Sequence, residues 1–200
     1  CALRLQEEGL QVKVLESTNR VGGRLRSDRE DGFIFDHGFH VFQTAYPECR
    51  HWLDYEGLRL KAFRSGSYVR ARNRFSRIAD PWRDPNQFLP ALLSSVGSLR
   101  DKFLIGKYRK DVVSSDLKQI YYRENISALE ALRERGFSRR MIERFFRPFF
   151  SGIFLETELK TSRRAMDFIF KMFAEGDAAL PERGIAAVPE QLAARLKPDT

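Results

Sequence analysis

Apolar and polar positions change their period along this chain. In the first third they tend to alternate, as in strands, and in the second half they recur at helical spacing. Cys1–Glu8 (CALRLQEE) has Ala2, Leu3 and Leu5 at helix spacing and predicts the end of a helix, with Gly9 as its C-cap. Gln11–Glu16 alternates and predicts a short strand. Ser27–Gly32 is expected to be a charged turn. Phe33 and Phe35, then Phe39 and Val41, predict a strand pair interrupted by Asp36, His37 and Gly38. Tyr46–Gly57 predicts one helix with Pro47 in its first turn. Leu58–Ile78 interleaves Arg59, Lys61, Arg64, Arg70, Arg72, Arg74 and Arg77 with Phe63, Tyr68, Val69, Phe75 and Ile78, the pattern of half-buried strands with a basic outer face.

Prolines 81, 85 and 90 make Asp80–Pro90 an irregular connection, and Leu89–Tyr108 reads as one or two helices broken near Gly97. Ser127 and Glu130 form an S-x-x-E capping box for a helix over Ser127–Arg135 that Gly136 ends. Ser138 caps the next helix. There Met141, Ile142, Phe145, Phe146, Phe149 and Phe150 share a face, and Pro148 bends or ends the run. Ala165–Ala174 is apolar almost all round and is expected to be deeply buried. Pro181 and Gly184 turn the chain. Pro189 opens a last helix, with Leu192 and Leu196 on one face. Strands followed by helices in one chain predict a mixed α/β (α+β) fold.

Val12–Arg26 (VKVLESTNRVGGRLR) concentrates the candidate chemistry. Glu16 ends the predicted strand, where a carboxylate can accept hydrogen bonds from ribose hydroxyls. Gly22 and Gly23 let backbone N–H groups approach a ligand closely, and the guanidinium of Arg24 suits pyrophosphate oxygens. Together they make a dinucleotide cradle; an ordinary strand and glycine turn would show the same spacing. In a dinucleotide-binding βαβ unit, a strand and a G-x-G-x-x-G turn precede the acid by about 20 residues. Glu16 stands too near Cys1 for that, so the chain is expected to be a piece of a longer protein that starts inside its own motif.

VLESTNRVGGRLRS, followed by GFIFDHGFHVF (Gly32–Phe42), resembles the FAD-dependent amine oxidase and carotenoid (phytoene) desaturase superfamily. FFRPFFSGIFL (Phe145–Leu155) and ALPERGIAAVPEQLAARL (Ala179–Leu196) resemble later segments of its desaturase-like branch, although Ile185 stands where Gly-Met-type turns are common. The resemblance implies a partial Rossmann-like FAD-binding domain over residues 1–60 and a substrate-domain portion, sheet then helices, over 61–200. It implies FAD bound by Glu16, Ser17, Gly22, Gly23, Arg24 and Leu25, with the flavin ring beside Gly38, Phe39, His40 and Val41. It also implies hydride removal from an apolar, polyene- or carotenoid-like substrate, or from an amine. Catalytic groups are expected beyond Thr200. Without the glycine turn and a closing segment, the 200-residue chain is expected to hold FAD poorly.

Composition narrows the partners. The 35 basic and 27 acidic side chains give +8, which favours anionic ones: a diphosphate cofactor, a membrane surface or nucleic acid. Nucleic acid is set aside because alternation in Leu58–Ile78 is explained by strands alone. Leu99, Phe103 and Leu104 against Arg100, Lys102, Lys107, Arg109 and Lys110 make a basic amphipathic segment, either a surface helix or a peripheral membrane contact. The Phe/Met positions after Ser138 are either core or the wall of a cavity for an elongated apolar substrate. His37, His40 and His51 lack the partners of a metal site, so no metal is expected. Two cysteines, Cys1 and Cys49, exclude a disulfide framework and favour the cytoplasm or a reducing organelle. The alternative to an enzyme is a non-catalytic nucleotide- or lipid-binding module of the same fold, associated with a membrane.

Overall fold

The structure is a computed structural model that describes residues 1–38, 40–71, 74–78, 83–87, 89, 94, 96–198 and 200, and only the backbone of Ser67, Ala71, Arg74, Ser76, Arg77, Ile78 and Gln87. It mixes helix and sheet, and it divides into two compact units: Cys1–Phe63 with Gly176–Thr200, and Arg64–Glu175.

The first unit opens with α1 (Ala2–Glu7). The strand expected at Gln11–Glu16 does not form a ladder. Among the described residues its one backbone bond to a distant residue is Val14 N to Thr200 O, 2.8 Å, and Leu15 is 85% exposed. An extended segment becomes a sheet strand only through continuous pairing. The expected turn at Ser27–Gly32 is itself half of a hairpin: β1 (Ser27–Glu30) pairs antiparallel with β2 (Phe33–Asp36), from Ser27↔Asp36 to Glu30↔Phe33. Asp31 and Gly32, both at positive φ (+49° and +83°), make the two-residue connection that suits strand twist. The Phe33/Phe35 strand therefore pairs backwards along the chain rather than forwards with Phe39 and Val41, and both phenylalanines are exposed. Phe39 lies outside the described residues.

β3 (Phe42–Gln43) and β4 (Lys61–Ala62) flank β7 (Ala178–Leu180), both antiparallel to it, so residues after Gly176 complete a sheet begun near residue 42. The single helix expected over Tyr46–Gly57 is two, α2 (Pro47–Trp52) and α3 (Tyr55–Leu58). Leu53 is extended between them because Asp54 restarts the helix, its carboxylate accepting Glu56 N at 3.0 Å. The last helix runs Ala187–Ala193, with Pro189 in its third position. Phe42, Leu58, Ile185, Ala187 and Val188 form the buried core, and Leu25 and Leu180 pack against it.

The second unit opens on a hairpin, β5 (Ser67–Ala71) with β6 (Arg74–Ile78). Val69 packs into the core from one face. Tyr68 and Phe75 stand on the opposite face, 74% and 70% exposed, so the aromatics are not the buried half of the alternation as expected. A 16-residue helix, α4 (Leu99–Ser114), follows. Its start is fixed by Asp101, whose carboxylate accepts Ser98 N, Ser98 Oγ, Ser138 N and Ser138 Oγ within 2.7–2.8 Å. Burial raises the Asp101 pKa, but the bonds from Ser98 and Ser138 outweigh it and hold the carboxyl below the usual range.

α5 (Leu117–Tyr121) and α6 (Ala128–Glu134) both begin on capping boxes, Asp116/Gln119 and the expected Ser127/Glu130. α7 (Arg139–Met141), a π-helical turn over Ile142–Phe146, and α8 (Arg147–Phe154) then run on without leaving helical dihedrals. Pro148 thus neither ends nor breaks the run. The wider turn just before it accommodates a residue that lacks an N–H and would crowd the carbonyl four residues back. Phe146, Phe150 and Phe154 stack in near-parallel pairs at 6.2 and 5.5 Å, and Phe146 and Phe150 are wholly buried.

α9 (Arg163–Glu175) departs most from expectation. Its buried positions are Met166, Asp167, Lys171 and Met172, while Phe168, Ile169, Phe170 and Phe173 are only partly buried. Asp167 Oδ1 accepts Tyr108 Oη at 2.7 Å, and Oδ2 accepts Arg123 Nη1 at 2.6 Å and Arg163 Nε at 3.4 Å. Arg135 Nη2 lies 3.2 Å from both oxygens, and Asp111 bonds Arg123 and Arg135 from outside. Arg135 also sits 4.4 Å over the Tyr108 ring, which stacks on Phe170 at 4.4 Å. Burial, then the Asp167 charge, pushes the Tyr108 hydroxyl well above its ordinary pKa, so it stays a neutral donor. A buried carboxylate is tolerable only with partners of this kind.

Candidate cofactor-binding site

The loop Arg20–Arg26 and the end of the β1/β2 hairpin enclose an open cavity of about 760 Å³, lined by Gly22, Gly23, Arg24, Leu25, Arg26, His37 and His40. Leu25 N donates to Gly22 O at 2.9 Å, closing a tight turn. Gly22 (φ +110°) is required there, because a Cβ would come within 2.7 Å of both Leu25 O and Pro189 Cγ. A Cβ at Gly23 would meet nothing within 4 Å, so that backbone faces open space.

The loop is tied to the hairpin by polar contacts. Arg20 donates to Asp28 Oδ1 at 2.8 Å and to Ser27 O at 3.2 Å. His37 Nε2 lies 2.5 Å from Asp28 Oδ2, and His37 N donates to Arg26 O at 2.8 Å. The Arg20 and then the His37 hydrogen bonds hold the Asp28 carboxyl below its usual pKa. His40 Nε2 reaches His37 O at 3.0 Å, which requires the proton on Nε2. Asp36 serves the hairpin from behind: Oδ1 accepts Ser27 Oγ at 2.6 Å and Ile185 N at 3.0 Å, while Ser27 Oγ accepts Ala186 N at 3.0 Å.

Glu16 stands outside the lining. One oxygen, Oε1, accepts Thr18 N at 2.8 Å and Thr18 Oγ1 at 2.9 Å, bonds that lower the Glu16 pKa, with the backbone bond first. Ser17 is exposed, and its hydroxyl bonds the same oxygen at 3.5 Å. Of the residues expected at the cofactor, Gly22, Gly23, Arg24, Leu25 and His40 are brought together. Glu16, Ser17, Gly38 and Val41 do not line the cavity. Arg26 and His37 do line it and were not expected to.

Arg26 Nε is buried with no hydrogen-bond partner, and no ion pair engages Arg24 among the described residues. Two guanidinium groups, two imidazoles and an open glycine backbone fit a phosphate or another polyanionic group, not a cation. Among the described residues no three His, Cys, Asp or Glu side chains are grouped to hold a metal. Burial, then Glu48, pushes the Cys49 thiol pKa up, the reverse of what a nucleophile needs.

Comparison with known proteins agrees with this chemistry. A family model described as flavin containing amine oxidoreductase matches residues 1–200. The chain is 30% identical over 153 residues to protoporphyrinogen oxidase 2, chloroplastic/mitochondrial, of Arabidopsis thaliana. It is 23% identical over 153 residues to the mitochondrial protoporphyrinogen oxidase of Nicotiana tabacum. Each alignment takes in 76% of this chain and 29% of the relative, so the chain spans under a third of the length of these relatives.

Proposed function

The chain belongs to the flavin-containing amine oxidoreductases, FAD-using oxidoreductases, and on that premise we propose that it forms part of an enzyme removing hydride from an apolar, polyene-like or amine substrate. Cys1–Phe63 with Gly176–Thr200 would belong to a Rossmann-like FAD domain and Arg64–Glu175 to an inserted substrate domain. The observation that carries the reading is the cavity joining Gly22–Arg26 to His37 and His40. Gly22 and Gly23 would present backbone N–H groups to the diphosphate, and Arg24 and Arg26 would neutralise it. The exposed carboxylate of Glu16 would accept the ribose hydroxyls, and Gly38–Val41 would run beside the ring. FAD bound there would supply hydride acceptance from a substrate C–H bond and pass the electrons to oxygen or a quinone-like acceptor. The residues named here bind and orient; none is assigned a proton-transfer role.

The relatives' name makes protoporphyrinogen a substrate to assay beside polyenes and amines. The test uses the protein in its natural full length: flavin absorbance of the purified protein, against Glu16→Ala and Arg24→Ala. Both variants should lose most of their bound FAD. If both keep wild-type occupancy, the cradle is misassigned.

A membrane-associated reading draws on a separate observation. Leu99 and Phe103, one turn apart on α4, are 67% and 74% exposed beside exposed Arg100 and Lys107. No helix among the described residues is long and apolar enough to cross a membrane, so the contact would be peripheral. Phe103→Ala should reduce co-sedimentation with anionic vesicles.

A further inference from the structure

We propose that Asp28 is a positioning residue for the cofactor cavity, holding its two sides at a fixed spacing. The proposal rests on the FAD reading above. Asp28 lies on β1, outside the cavity lining, and its two oxygens are divided between the two walls. Oδ1 takes Arg20, two residues before Gly22, and Oδ2 takes His37, a lining residue at the end of β2. The same two walls are pinned by the Arg20 guanidinium donating to Ser27 O and by the backbone bond from His37 N to Arg26 O, so Asp28 completes a four-point closure.

From each wall the bonding continues along the rim. Thr18 Oγ1 lies 2.9 Å from both Arg20 O and Glu16 Oε1, and His40 bonds His37 O. Asp28 thereby joins the glutamate expected at the ribose to the histidine expected at the ring, with no contact to either. Charge gives it a second role. Arg20, Arg24 and Arg26 would repel one another across the cavity, and the Asp28 carboxylate offsets that repulsion. Oriented lining groups lose less freedom when a ligand arrives, which is how a residue outside the site changes affinity.

The experiment titrates FAD into full-length apoprotein of wild type, Asp28→Ala, Asp28→Asn, Arg20→Ala and the double variant Asp28→Ala/Arg20→Ala, and records the flavin absorption spectrum of each loaded form. Asp28→Ala should raise the FAD Kd about fivefold, the scale of one or two partly exposed ion pairs, and shift the flavin band. Asp28→Asn, which still accepts from Arg20, should fall between it and wild type. The double variant should lose less than the sum of the two single variants, because Arg20 and Asp28 share one bond. Wild-type Kd and spectrum in Asp28→Ala overturn the proposal, as does simple additivity in the double variant. Should Asp28→Ala fail to fold, Arg20→Ala decides in its place, because its wild-type Kd and spectrum would equally overturn the clamp. Loss of FAD in Arg24→Ala with Asp28→Ala unaffected sinks this proposal and leaves the cofactor reading standing. A wild type that takes up no FAD sinks both.

Discussion

Asp28 and Asp167 are both carboxylates held by arginine and one other side chain, yet they do different work. The Asp28 side chain is half exposed, and its partners Arg20 and His37 are 43% and 46% exposed. The Asp167 side chain is 0% exposed, and Arg123, Arg135 and Arg163 around it are only 13–20% exposed. Water screens the first cluster, so its contacts are individually weak and their value lies in aiming groups at a cavity. The second cluster has given up most of its water, so each partner answers for the desolvation of the others. Its effect is to lock α4, α6 and α9 together. Similar chemistry becomes a site in one unit and a structural keystone in the other, and burial decides which.

That contrast can be broken most forcefully at Asp167. Asp167→Ala leaves three guanidinium groups and the Tyr108 hydroxyl without their shared acceptor, and should cost about 3–5 kcal/mol in denaturant-induced unfolding. A loss below about 1 kcal/mol would mean the cluster is hydrated and no keystone. Phe150→Ala removes a wholly buried ring from the Phe146–Phe150–Phe154 stack and should cost about 3 kcal/mol, with no change in FAD affinity. Ser127→Ala deletes the α6 cap and should cost about 1 kcal/mol near neutral pH.

The Ser127 effect should also vary with pH. Bonds from the Ser127 hydroxyl, then from its N–H, hold the Glu130 carboxyl below the ordinary glutamate range. A pKa lowered by folding stabilises above the unfolded-state value, and that contribution disappears as pH falls through the folded value. The stability gap between wild type and Ser127→Ala should therefore narrow below about pH 4. Smallest of all is Asp28→Ala, whose denaturation midpoint should stay close to that of wild type while FAD affinity falls. A stability loss as large as that of Asp167→Ala would erase the distinction between the two regions.

Features written within a few residues of one another were legible in the sequence. The Ser127/Glu130 box lies where the spacing placed it, and Asp31-Gly32 makes a hairpin, although its neighbours looked like a turn. Gly22, Gly23, Arg24, Leu25 and His40, which the two sequence blocks mark, share a cavity. His37 and Arg26 escaped notice because nothing local tells which way a loop side chain points. α9 misled because its apolar residues surround the helix, whereas its buried side is shared by Met166 and Met172 with two charges that have partners, Asp167 and Lys171.

By itself, then, the sequence determined the helix starts, the glycine turn and the identity of the cationic groups beside it. Those depend on bonds between residues three or four apart and on the dihedral freedom of single residues. Only the tertiary structure decided the rest. Asp167 meets Arg135, Arg123 and Tyr108 across 32, 44 and 59 residues of chain. Asp36 reaches Ile185 across 149. Such partners are selected by how whole elements pack, because a buried charge lowers its free energy only where the fold delivers opposite charge and hydrogen bonds to it.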